Sequence, residues 1–100
     1  MNAKMLKEFD ELEALLKVIA VSTRLKILSR IKQGEVCGCD LLGCLNVSQP
    51  TLSHHLKVLK GHKLVKSRQE GTKTFYTLED AAILNIHTAL NKLMDIEITC

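Results

Sequence analysis

The chain has 100 residues, 46% of them apolar and 25% charged, with a formal net charge of +3 and four cysteines. That length bounds one small domain, and no apolar run approaches the roughly 20 residues of a membrane-spanning helix, so none is expected. The mild positive balance permits a nucleic-acid partner without requiring one.

The aromatics are few, Phe9, Phe75 and Tyr76, so the core must be Leu, Ile and Val. Lys57, Lys60, Lys63, Lys66, Arg68 and Lys73 make the middle basic, whereas Glu8, Asp10, Glu11 and Glu13 make the start acidic. The opening MNAKMLKEFDELEALL sets acids among its apolar positions. It therefore does not read as a signal peptide, and a cytoplasmic chain with reduced thiols is expected.

Leu6, Phe9, Leu12, Leu15, Leu16 and Ile19 recur at helical spacing and predict a first helix ending near Val21. Ser22 or Thr23 is the expected cap of a second helix with the stripe Leu25, Ile27, Leu28 and Ile31, and Gly34 suits its stop. A third, short helix is expected from about Asp40 to Leu45, with Asp40 as its cap. Ser48 caps a fourth, where Pro50 is tolerated in the first turn and Leu52, Leu56 and Leu59 form the buried stripe. Leu64 to Gln69 and Lys73 to Leu78 read as two strands about a Glu70-Gly71 turn. Asp80 to about Ile98 reads as a last helix.

The order α-α-α-α-β-β-α defines a single mainly α domain over residues 1–100, a winged helix-turn-helix. The helix-turn-helix falls at 40–61 and the wing at 64–78. A chain this small also gains stability by dimerising. With its leucines inward, the fourth helix presents Gln49, Thr51, Ser53, His54 and Lys57 outward, residue types that read base edges or hold phosphates. His55 lies nearer the core face and reads as a packed or backbone-bonded histidine. Lys66, Arg68 and Lys73 on the wing suit backbone phosphates.

Cys37, Cys39 and Cys44 crowd directly against this recognition helix, an arrangement that would let a thiol-binding signal control DNA occupancy. A bridge between Cys37 and Cys39, with one residue between them, is expected to be strained, so the cysteines read as thiols open to a ligand.

These features resemble the ArsR/SmtB family of metalloregulatory repressors. SQPTLSHHLKVL is very close to that family's recognition helix. STRLKIL resembles the opening of its second helix, RQEGTKTFYTL its wing, and CGCDL the inducer motif of its arsenite- and cadmium/lead-responsive branches. The resemblance implies a homodimer joined through helices 1–21 and 80–98 on double-stranded operator DNA of two-fold symmetry. It further implies release when As(III), or a similar soft ion such as Sb(III), Cd(II) or Pb(II), binds Cys37 and Cys39. No resident cofactor and no membrane partner are implied. A helix N-terminus favours the thiolate form that such ions take.

In arsenite-responsive relatives that have a third cysteine, it falls three residues after the second, where this chain has Leu42. Cys44 lies about 200° further round a regular helix, so it joins only if the helix starts late or unwinds. Cys100 offers a ligand from the chain end. No cysteine precedes Cys37, which weakens a four-sulfur site of the cadmium/lead kind. The last helix holds Asp80 and His87 but Ala81 and Ala82 where zinc ligands often stand, which disfavours zinc there. His62 reads as solvent-facing.

Two other functions fit parts of the pattern: a redox or persulfide sensor using Cys37 with Cys44, and a small metal buffer, in which a reader helix would be wasted. A phosphate-binding glycine loop and a convincing pair of catalytic carboxylates are both missing from the sequence, so an enzyme is not expected.

Overall fold

The computed structural model describes residues 1–94. Its elements are α1 (Ala3–Ile19), α2 (Ser22–Lys32), β1 (Val36–Cys37), α3 (Gly38–Cys44), α4 (Gln49–Gly61), β2 (Val65–Glu70), β3 (Lys73–Leu78) and α5 (Asp80–Leu93). The expected stretch of the last helix beyond Met94, and Cys100, lie outside the described residues. Among the described residues no helix is long and apolar enough to cross a membrane.

α1 begins at Asn2, whose side-chain oxygen accepts from the Met5 amide at 2.9 Å. It buries Leu12 and Val18 but leaves Met5, Leu6 and Phe9 exposed. α2 starts without the expected Ser22 or Thr23 cap. Its N-cap is Val21, which makes no side-chain capping bond. The two-residue link leaves Ser22 no room outside the helix. Arg24 stabilises the corner instead, donating to the Val18 carbonyl at 3.0 Å. Ile27 and Ile31 enter the core, whereas Leu25 is exposed. Two positions apart means about 200° round the helix, so Leu25 and Ile27 cannot share one buried face. Gly34 then turns the chain at φ 142°, a conformation that favours glycine.

The sheet has an unexpected third member. β1 pairs antiparallel with β3, Val36 opposite Tyr76 and Cys37 opposite Phe75. β3 also pairs with β2 in the expected hairpin, giving the order β1-β3-β2. Two residues are too few to leave an alternating signature, so β1 is defined only by the strand beside it.

α3 starts at Gly38, earlier than expected, because Cys37 rather than Asp40 is its cap. Cys37 is extended at φ −70° and ψ 142°, and its Sγ accepts from the Cys39 amide at 3.3 Å. Asp40 falls in the first turn. α4 keeps its expected cap: Ser48 Oγ accepts from the Thr51 amide at 3.3 Å and donates to Thr51 Oγ1 at 2.9 Å. Pro50 stands in its first turn.

Ile27, Ile31, Val36, Leu41, Leu52, Leu56, Leu59, Leu64, Val65 and Ile86 form the core, with Val18 at its margin. This core joins α2, β1, both helices of the helix-turn-helix and the wing. Leu59 is fully buried, so Leu59→Ala should lower unfolding free energy by about 2–5 kcal/mol. Leu25→Ala, at a 52% exposed position, should change it by no more than about 0.5 kcal/mol. Urea unfolding of the two variants checks both values.

Candidate functional site

α4 has one buried and one open face. Leu52, Leu56 and Leu59 are buried, while Gln49, Thr51, Ser53, His54 and Lys57 are all exposed. Gln49, Ser53, His54 and Lys57 therefore form one polar surface on the N-terminal half of the helix, the half that enters a major groove in helix-turn-helix proteins. Thr51 shares its hydroxyl with the Ser48 cap, so it helps fix the helix start.

His55 is half-buried, as expected, but its partner is a side chain. Its Nδ1 accepts from Arg24 Nε at 3.0 Å. Arg24 thus bridges the end of α1 and the middle of α4, using Val18 O and His55. Partial burial, then the Arg24 charge, then His54 hold the His55 pKa below its ordinary 6.5. This bond was not readable from sequence, because the two residues lie 31 positions apart.

The wing and α4 enclose a cleft lined by Ser53, Lys57, Lys60, Arg68, Gln69 and Thr74. Lys60 was legible only as part of the basic middle, and Gln69 and Thr74 carried no sequence signal for this cleft. Lys66 and Lys73 are exposed on the strands. Arg68 is not a free cation. It donates to both carboxylate oxygens of Glu35, at 2.9 and 2.7 Å, and to Glu70 at 2.8 Å.

The thiols divide. Cys37 and Cys39 form a disulfide contact, with Cα atoms 5.2 Å apart, inside the ordinary range for such pairs. One residue between them does not keep the two sulfurs apart. Cys37 is extended and Cys39 lies in the first turn of α3, so the chain folds back and delivers both sulfurs to one point. Gly38 between them is kept small: a Cβ there would meet the Tyr76 ring at 3.3 Å.

Cys44 is exposed and free at the far end of α3. It stands about 140° round and about 7.5 Å along from Cys39 by helical geometry. Among the described residues no three His, Cys, Asp or Glu side chains converge as a metal site. The three cysteines grouped from sequence are therefore a pair and an outlier. The donor pair suits a soft thiophilic ion, since both sulfurs reach one point and α3 begins beside them.

A winged helix-turn-helix with this polar reader helix defines a DNA-binding regulator. The sequence profile described as "Bacterial regulatory protein, arsR family" matches residues 22–67. The arsenical resistance operon repressor of Staphylococcus aureus is 45% identical over 83 residues, 83% of this chain and 80% of that protein. The chain belongs to the ArsR family, whose members are regulators of transcription rather than enzymes. Among solved structures, reduced HlyU from Vibrio cholerae matches with a TM-score of 0.78 at 32% identity, covering 93% of this chain and 98% of that one. The homodimeric winged helix-turn-helix domain of Mb0332 from Mycobacterium bovis matches with a TM-score of 0.70 at 26% identity, covering 100% and 97%.

The depressed His55 pKa has a sign. On acidification the unfolded chain takes up this proton first, so stability is full above 6.5 and declines as pH falls through that value toward the folded one. Urea midpoints should therefore drop between about pH 7.5 and about pH 5.5, and the drop should be shallower in His55→Gln.

Proposed function

We propose that this chain is a metal-responsive repressor that binds operator DNA of two-fold symmetry as a homodimer. It lets go when As(III), or another thiophilic ion such as Sb(III), Cd(II) or Pb(II), binds the thiolates of Cys37 and Cys39. One observation carries the reading: Cys37 is at once a strand residue of the wing sheet and the cap of the first helix of the helix-turn-helix. An ion that takes this sulfur must disturb both. The names of relatives support the inducer class, since the Staphylococcus aureus protein is an arsenical resistance operon repressor. The reading places the chain in the cytoplasm, where thiols stay reduced.

In this reading Gln49, Ser53 and His54 face base edges, and Thr51, Lys57 and Lys73 take phosphates. Arg68 joins them when released from its carboxylates. Residues 1–21 and 80–98 supply the dimer interface. Met5, Leu6 and Phe9 on α1 and Leu84, Leu93 and Met94 at α5 leave apolar surface uncovered in the single chain, and the Mycobacterium bovis neighbour is homodimeric. Cys44 serves as a third sulfur only if α3 gives up its regular turns, and that unwinding would itself displace α4.

The disulfide contact favours a second reading, a redox switch. Peroxide would oxidise the Cys37 and Cys39 thiols to a disulfide while itself being reduced to water, and the pair differs from the Cys37–Cys44 pair expected from sequence. Mass spectrometry after mild peroxide separates the two pairs.

The main test uses a labelled duplex that the reduced wild-type chain selects from random-sequence DNA. Arsenite should weaken binding about 5- to 150-fold, the span of ordinary allosteric coupling. The double variant Cys37→Ser, Cys39→Ser should bind the duplex but ignore arsenite. An undiminished arsenite response in that variant would remove the thiol site from the account.

A further inference from the structure

Glu35 immediately precedes β1, two residues before Cys37. Cys37 stands opposite Phe75, and Phe75 stands opposite Arg68. A single row therefore crosses the sheet from the sensor thiol through an aromatic ring to the wing cation. Arg68 lies over that ring at 4.7 Å from its centroid. Its Nε and Nη2 donate to the two oxygens of Glu35, and its Nη1 donates to Glu70. The guanidinium is thus flanked by carboxylates while it also lines the basic cleft between α4 and the wing.

A guanidinium fork donates to a carboxylate or a phosphate in the same bidentate geometry. With a carboxylate on each side, the positive charge of Arg68 is cancelled toward an approaching polyanion. The pair is also reachable, since the Arg68 side chain is 51% exposed and that of Glu35 35%.

We propose that Glu35 is a positioning residue for DNA binding: its carboxylate competes with a DNA phosphate for Arg68, and its place two residues before Cys37 makes that competition respond to the state of the thiol pair. The proposal rests on the DNA-binding reading above. In the free protein the pair keeps the wing cation occupied. On DNA, a phosphate entering the cleft displaces Glu35. An ion at Cys37 and Cys39 shifts β1, returns Glu35 to Arg68 and so helps expel the phosphate.

The test measures anisotropy of the duplex selected by wild-type chain, across a salt series, for wild type, Glu35→Gln, Arg68→Ala and the double variant. Glu35→Gln should bind about three- to fivefold tighter, the size expected of a solvent-open ion pair. The log–log salt slope should be the same for wild type and Glu35→Gln, since Arg68 holds the phosphate in either complex, and shallower by about one in Arg68→Ala. The tightening should vanish on the Arg68→Ala background. Equal tightening with and without Arg68 would mean that Glu35 acts as a diffuse negative charge, and the competition is wrong. Addition of arsenite to reduced protein should weaken Glu35→Gln less than wild type; equal weakening overturns the link to the thiols. If the wild-type chain enriches no duplex at all, the DNA-binding reading fails, an outcome distinct from wild-type binding with an inert Glu35→Gln.

Discussion

The antiparallel pairing of Val36 and Cys37 with Tyr76 and Phe75 is the contact on which the rest depends. Without it, the segment between α2 and α3 would be a surface loop, and a ligand on its cysteines would have nothing to move. With it, the loop becomes the edge of the wing sheet. Its last residue then turns directly into α3 with its own sulfur as cap. The proposed sensor thiols thereby stand on the backbone that sets the wing, and on the helix that supports α4.

The reader helix is held from several directions. Its cap uses Ser48 and Thr51, its inner face buries three leucines, and Arg24 ties His55 to the end of α1. α3 is different: seven residues, a thiol cap and one fully buried side chain, Leu41. Short helices draw their stability from packing rather than from propensity. A perturbation at Cys37 would therefore act first on the weaker partner of the helix-turn-helix.

Much of this was legible because local signals agreed. The Ser48 cap, Pro50 and the leucine stripe all marked α4, and the structure starts that helix one residue after the cap. The hairpin was legible from its two runs around Glu70-Gly71, and Gly71 does adopt positive φ. Several of the failures share one cause, dependence on residues distant in the chain. β1 is a strand only through β3. Arg68 read as a free phosphate ligand because Glu35 lies 33 residues away. Asp40 looked like a better cap than a cysteine, yet the pairing with β3 already held Cys37 extended, so the helix began at Gly38. Leu6 and Phe9 marked a helix by their spacing, but spacing does not say which apolar positions a single chain buries, and both are exposed.

The central claim, that the thiol pair acts through the strand it belongs to, is tested most directly by amide hydrogen exchange of the reduced protein with and without arsenite. The account predicts altered protection at Val36 and Cys37, along β3 and in α3, with the core of α2 unchanged. Tight arsenite binding that leaves exchange in β1 and β3 untouched would contradict it.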